Sequence, residues 1–450
     1  MDLQATDSPL RLIHGADGPL IYDTNRVCTY HCSAAEAYLL KQGEIAPSAP
    51  HEESGIFDQD ALTAARQRLT RLANLSQSLA GDAAIAEPDR NHPTYLLLHV
   101  CDSCNLRCSY CYAEGCHEGD QPSRMTADTA KASVDLLFDH CSRDDHCVVT
   151  FAGGEPLLNI GAVEAAVTHA RRRQRERAGG LDLRILTNGT VMSQRILQLI
   201  SEQEIFLQIS LDGPPEVHDQ LRFTRQGKGS SAKILETIEF LEQNGFSRFR
   251  VRATLSRHNA NVGKIAEFYS SRGIRDFSIQ PVMCGSGEPF RLEDAEIASI
   301  AAYYRDLAAA VPTSSTEREQ PALSGDIQAL LAKLTIGLKT KRHCGAGTDM
   351  LVVTPPGELY PCPALVGHAR YRIGDMHGGN TESFQGAFCN LPVDAKSGCQ
   401  ACWARNLCGG GCAAQAIRIN GDIEQPDPQE CALTKSRIEA AIAIHHRLSG

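Results

Sequence analysis

The chain has 450 residues and 18 cysteines, and ten of those cysteines fall into two spaced sets. The first set is compact. Cys104, Cys108 and Cys111 lie in Cys104-Asn105-Leu106-Arg107-Cys108-Ser109-Tyr110-Cys111, and no fourth thiol follows at a comparable distance. Thiolates are soft ligands, and three of them in so short a stretch fit a loop wrapped around an iron–sulfur cluster. A structural zinc site would want four ligands, usually in C-x2-C pairs. With three protein ligands on a four-iron cluster, one iron stays open for a small molecule. The second set comprises Cys344, Cys362, Cys399, Cys402, Cys408, Cys412 and Cys431. A zinc ribbon would account for the Cys399/Cys402 and Cys408/Cys412 pairs but would leave Cys344, Cys362 and Cys431 idle. The remaining eight (Cys28, Cys32, Cys101, Cys116, Cys141, Cys147, Cys284 and Cys389) read as small buried hydrophobes. Cys28 and Cys32 are spaced as a ligand pair, but two ligands do not make a site.

Composition narrows the class. A hydrophobic fraction of 42% and a charged fraction of 22% describe an ordinary globular protein long enough for two or three domains. The net charge of −10 leaves no broad basic face to track phosphates, so a nucleic-acid partner is not expected. No apolar run is long enough to span a membrane, and the acidic stretch Met1 to Asp7 does not read as a secretory signal. Many cysteines without a signal point to a reducing, cytoplasmic setting in which thiols hold metal.

The elements that must position these thiols can be read in order. Leu10-Arg11-Leu12-Ile13 and Leu20-Ile21-Tyr22-Asp23 flank an Asp17-Gly18 turn signal and predict a hairpin. Ser33 can then cap a helix with Glu36 at the capping-box position. Leu62, Ala65, Leu69, Leu72 and Leu75 predict a helix within 60–80, and Gly81, Pro88 and Pro93 mark a linker over 81–93. From Tyr95 the pattern becomes repeated βα units. Strands are predicted over 95–100, 148–151, 183–186, 206–210, 249–254 and 276–279, with helices such as 127–140, 162–177 and 231–244 between them. That alternation implies a parallel sheet with right-handed crossovers, an α/β fold. Functional groups in such folds gather at the C-terminal ends of strands. Gly153-Gly154-Glu155-Pro156 follows the second strand, and its two glycines allow close backbone approach to a ligand. Residues 287–340, with a polar interval at 313–316, read as a bridge.

The spacing of the first three cysteines resembles that of the radical S-adenosylmethionine (SAM) enzymes. In that family the open iron chelates SAM, and an electron from the cluster releases a 5′-deoxyadenosyl radical. The resemblance implies a partial six-unit (β/α) barrel over 93–286, with Cys104, Cys108 and Cys111 as cluster ligands. It also implies SAM contacts. Gly153, Gly154 and Glu155 match the segment used for the amino group. Asn188 and Ser210 match positions near the methionine carboxylate and ribose. Arg222 would pair with a carboxylate or else lie on the surface, and Tyr110 would lie against adenine.

The seven-cysteine array resembles the SPASM extension, which binds two auxiliary four-iron clusters in enzymes acting on peptides and proteins. Carried over by position, Cys399, Cys402, Cys408 and Cys431 complete one cluster, while Cys344, Cys362 and Cys412 hold the other in a domain over 341–450. The second site is one ligand short, leaving His343, Cys284 or an open iron. Sulfatase-maturing relatives carry an Asp after the cysteine matching Cys362, whereas Pro363 stands here. The segments around Cys362 and Trp403 are similar instead to thioether-forming maturases, the SCIFF-type and quinohemoprotein amine dehydrogenase groups. Residues 1–85 are similar in element order to a small winged-helix-like α+β domain that recognises peptides, or else are a packing extension.

The expected function is radical SAM oxidoreductase chemistry on a ribosomally made, Cys-containing precursor peptide, forming thioether crosslinks. The implied cofactors are SAM and three [4Fe-4S] clusters, with an electron donor such as a flavodoxin or ferredoxin. Another radical modification of a peptide is the alternative. A non-catalytic iron–sulfur scaffold or electron carrier is the alternative of a different class.

Overall fold

The computed structural model describes residues 8–15, 17–43, 57–78, 92–112, 123–312, 321–376 and 391–449. Cys116, Cys389, the interval at 313–316 and most of the 81–93 linker lie outside the described residues.

The chain opens with β1 (Leu10–Gly15), β2 (Gly18–Asp23) and β3 (Cys28–His31), an antiparallel sheet in that order. Two helices follow, α1 (Ala34–Gln42) and α2 (Gln59–Ser78). Ser33 caps α1 in a complete capping box with Glu36, and Gly43 ends it in the left-handed conformation. Period-2 alternation gives the sheet two apolar faces. Leu10 and Ile21 pack with Leu39, Leu40 and Leu69 of the two helices. Ile13, Leu20 and Tyr22 face the other way, toward Leu407, Ile438 and Ile442 near the C-terminus. Tyr22 meets Trp403 edge-on at 6.2 Å, Arg11 stacks on the same indole at 5.4 Å, and Asn406 Nδ2 donates to the Thr24 carbonyl at 2.7 Å. The N-terminal unit is thus bound into the C-terminal part by a shared core.

The central sheet contains the six predicted parallel strands. They are β4 (Tyr95–Cys101), β6 (Cys147–Gly153), β7 (Leu181–Thr187), β8 (Phe206–Ser210), β10 (Phe249–Leu255) and β11 (Phe277–Pro281), each beside the next. The short β5 (Leu106–Cys108) and β9 (Arg222–Thr224) lie outside this sheet and pair with each other. Helices cover one face of the sheet: α3 (Ala127–His140), α4 (Ile160–Gln174), α5 (Gln194–Glu202), α7 (Ser231–Gln243) and α8 (Val262–Ser271). A shorter helix, α6 (Pro215–Leu221), leads into β9. In α3, Thr126 caps the start, and Ala130, Ser133, Val134, Leu137 and Phe138 form the buried stripe of a 3.6-residue period.

Beyond the barrel come α9 (Asp294–Ala310) and α10 (Gly325–Ile336). The sheet then continues past β4 through β12 (Met350–Val353), β13 (Glu358–Tyr360) and β14 (Gly374–Asp375). β12 runs parallel to β4, pairing Met350 with Tyr95 through Val353 with Leu98. One nine-stranded sheet therefore crosses from the barrel into the segment that carries the second cysteine set. The chain ends in α11 (Arg405–Cys408), α12 (Ala413–Asn420) and α13 (Pro428–Ser449). No helix among the described residues is long and apolar enough to cross a membrane.

Candidate active site

The first cysteine set follows β4, at the C-terminal end of the sheet's strands. Gly154 N donates to the Cys101 carbonyl and Glu155 N to the Ser103 carbonyl, both at 2.8 Å, so the end of β6 is stitched to the start of the cysteine loop. The fit is backbone against backbone. A Cβ on Gly153, at φ +129°, would stand 2.4 Å from the Cys101 carbonyl oxygen, and one on Gly154 would stand 2.3 Å from that of Ser103. Only glycine permits this approach.

Asn188 and Asn105 tie the loop to the end of β7, Asn188 Nδ2 donating to Asn105 Oδ1 at 2.9 Å. The same amide nitrogen lies 3.8 Å from Cys104 Sγ. Cys108 sits on β5 opposite Arg222 on β9, and Arg222 Nη1 is 3.8 Å from its sulfur. Burial pushes the Cys104 thiol up to about 12 and that of Cys108 up to about 11. For Cys108 the Arg222 guanidinium opposes that rise.

Arg222 is buried, which removes the surface alternative. Its Nε donates to Asp212 Oδ2 at 2.9 Å and its Nη2 to Thr254 Oγ1 at 3.2 Å, while the guanidinium lies 5.3 Å over the Tyr110 ring. Tyr110 donates its hydroxyl to the same carboxylate oxygen, and Asp212 Oδ1 accepts from Thr254 N at 2.9 Å. Asp212 is fully buried and binds β8, β9, β10 and the cysteine loop together. The sequence reading singled out Ser210 in Ser210-Leu211-Asp212-Gly213 and gave Asp212 no role of its own. Its position two residues after Ser210, at a strand end, was the available signal. Behind it, His218 accepts from Asp212 N through Nδ1, and burial lowers its pKa to about 4, so the ring is neutral. Ser210, the last residue of β8, makes no side-chain hydrogen bond among the described residues, and its hydroxyl is free for a ligand.

Glu155 turns inward. Its fully buried carboxylate accepts from Leu157 N, Thr187 Oγ1 and Asn188 N at 3.1, 2.8 and 2.7 Å. The side chain thereby fixes the ends of two strands, and only its backbone is left to face a ligand. Burial pushes this carboxyl up to about 7 against the pull of the three donors. The folded state then holds a proton between about 4.5 and about 7 that the unfolded state has released. Stability of the SAM-free protein is therefore expected to fall as pH rises through that window, by roughly 3 kcal/mol, and to level off above it. Glu155→Gln should flatten this limb of a pH series of chemical denaturations.

The second set divides in two. Cys344, Cys362 and Cys412 pack in one cluster around Ala346, Ala364 and Ala413, and the first two both raise the pKa of Cys412, after burial and Glu430. Cys431 feels Cys408, Cys402 and Cys399 in the same way. Both candidates for a fourth ligand have partners of their own, and both line one cavity with Cys412. His343 Nδ1 lies 3.3 Å from the Cys408 carbonyl, and the ring hydrogen-bonds the Cys408 thiol. Cys284 is engaged with Arg291, and its neighbour Met283 is the residue that packs against the three thiols. Among the described residues no three His, Cys, Asp or Glu converge on a point, as ligands of one metal ion would. A cavity of about 170 Å³ joins the barrel to this region. Its walls include Arg252, Gln280 and Cys284 on one side and His343, Cys412 and Glu430 on the other.

Residues 98–268 match the model of the Radical SAM superfamily. This stretch is a radical SAM domain. The chain is 25% identical to the mycofactocin maturase MftC of Mycobacterium ulcerans over 75% of its own length and 87% of that protein. It is 27% identical to the antilisterial bacteriocin subtilosin biosynthesis protein AlbA of Bacillus subtilis, over 60% of this chain and 54% of the relative. Among solved structures, native anSMEcpe with bound AdoMet and Cp18Cys peptide superposes with a TM-score of 0.65 at 19% identity. That alignment covers 78% of this chain and 96% of the other.

The chain is an enzyme, and the superfamily matched over 98–268 implies a [4Fe-4S] cluster and SAM. The radical SAM domain fits both. It offers three soft sulfur donors on one loop, a glycine cradle against that loop, a free hydroxyl at Ser210 and the Arg222 cation beside them.

Proposed function

We propose that this enzyme is a peptide maturase that joins cysteine thiols of a ribosomally made precursor to carbons of acceptor residues. The observation that supports this reading is the three-thiol group Cys344/Cys362/Cys412, whose Cys412 lines a cavity shared with Arg252 and Gln280 of the barrel. Relatives described as a maturase and a bacteriocin biosynthesis protein support a peptide substrate.

In this reading Cys104, Cys108 and Cys111 would hold the catalytic cluster, and Tyr110, Gly153, Gly154, Asn188, Ser210 and Arg222 would hold SAM. Cys399, Cys402, Cys408 and Cys431 hold one auxiliary cluster, and the three-thiol group holds the other. The bound cofactors supply hydrogen abstraction and an electron sink; the protein supplies orientation and exclusion of water. A substrate thiolate takes the position that the protein leaves free at the three-thiol site, next to the attacked carbon. Each crosslink forms one C–S bond. A hydrogen atom leaves the carbon, a proton leaves sulfur and one electron is given up, for which a cluster held by Cys344, Cys362 and Cys412 would be the acceptor. A flavodoxin or ferredoxin returns electrons to the catalytic cluster. The segments 1–85, 93–286, 287–340 and 341–450 act as peptide-recognition unit, radical SAM barrel, bridge and auxiliary-cluster domain. β3 is one of the two edge strands of the N-terminal sheet and offers an edge to an extended leader.

The test is anaerobic reaction of the reconstituted enzyme with a cysteine-containing precursor, SAM and reductant, followed by mass spectrometry. The expected product has lost two hydrogens per crosslink and has a thiol that no longer alkylates, and the Cys→Ser precursor is inert. A modified peptide whose thiols still alkylate would assign a carbon–carbon crosslink, an epimerisation or an oxidation instead.

A further inference from the structure

Lys396 is fully buried, yet no carboxylate among the described residues forms an ion pair with it. Its Nζ makes one hydrogen bond, donated to the Gly410 carbonyl at 3.0 Å. An ammonium carries three donors, and a buried charge without a counter-ion is expensive. The surroundings are specific. Cys399 N donates to the Lys396 carbonyl at 2.9 Å, so the lysine opens the turn that carries the four-thiol group. Gly410 lies midway between Cys408 of that group and Cys412 of the three-thiol group. Three successive glycines in the left-handed region, Gly409 to Gly411, present its carbonyl. The lysine stem fills the space beneath, because a Cβ on Gly410 would stand 3.0 Å from Lys396 Cδ. The carbonyl that holds the ammonium thus lies two residues from a thiol of each group.

We propose that Lys396 is the shared internal counter-ion of the two auxiliary clusters. The negative charge of thiolate-ligated iron and sulfide on either side takes the place of a carboxylate, and the ammonium favours uptake of an electron by both clusters. The inference rests on the reading that the second cysteine set holds two clusters. It adds a residue type and a position that no ligand count requires. It also explains why a buried cation is kept where methionine would fill the same space.

The test uses full-length Lys396→Met and Lys396→Arg variants, with and without anaerobic cluster reconstitution. Iron and sulfide content, thermal unfolding and EPR-monitored redox titration are the readouts. In the metal-free state Lys396→Met should melt at a higher temperature than the wild type, since an unpaired buried charge is gone. After loading, its auxiliary midpoint potentials should shift to lower values while that of the SAM-binding cluster stays fixed, and Lys396→Arg should keep the wild-type potentials. Selective failure of Lys396→Met to load the auxiliary clusters would support the same role. Unchanged potentials in a fully loaded Lys396→Met, or a metal-free variant less stable than wild type, would make the lysine a mere prop for the Gly410 turn and overturn the counter-ion role. Iron for only one cluster in the wild type would bring down the auxiliary-cluster reading itself.

Discussion

Cys108→Ala is expected to reduce 5′-deoxyadenosine formation to background while two clusters' worth of iron remains bound. The catalytic loop has three thiols and no spare. Cys101 is the nearest further cysteine in sequence, and it is buried, with its thiol directed at the Ser103 and Glu155 carbonyls. Losing Cys108 also removes the sulfur that Arg222 faces across the β5–β9 ribbon, so among the described residues no other thiol can take its place without unpairing those strands. Among the described residues, the clusters in which the second cysteine set packs contain none of the three loop thiols. Anaerobic reconstitution, iron quantification and a chromatographic assay for 5′-deoxyadenosine decide the matter. Retained SAM cleavage would remove Cys108 from the catalytic site, and loss of all iron would show that the two sets are not independent.

Asp212→Asn is expected to cost about 3–5 kcal/mol of stability, the range for breaking a buried ion pair from one side. The carboxylate is fully buried and serves Arg222, Tyr110 and the backbone of Thr254 at once. Without its charge, the Arg222 guanidinium stays in the interior with no counter-ion. Chemical denaturation of the metal-free protein would measure the loss. A second substitution separates charge from shape. Asp212→Asn combined with Arg222→Met should recover most of the stability, because an apolar side chain replaces the orphaned charge. The double variant should still cleave SAM poorly, since the cation beside Cys108 is gone. If Asp212→Asn alone is neutral, the pair is no structural element and Arg222 is held by Thr254 and Tyr110.

Some of this protein was determined by the sequence alone, because the relevant physics is local. Cysteine spacing on one loop states a ligand set without reference to the rest of the chain. Period-2 and period-3.6 patterns place strands and helices, and Ser33 with Glu36 marks a helix start through contacts within four residues. Six βα units imply parallel order because the crossover has one favoured hand. Other features depend on residues that meet only after folding. Arg222 looked as suited to the surface as to the interior, since nothing nearby in sequence says that β9 will pair with β5 and bring it to Asp212. The joining of β12 to β4 links positions some 250 residues apart by backbone hydrogen bonds, which carry no side-chain signature. Lys396 reads as an ordinary surface lysine in Val393-Asp394-Ala395-Lys396. Its burial follows from the Gly409–Gly411 turn closing over it, and only the fold places its ammonium on the Gly410 carbonyl.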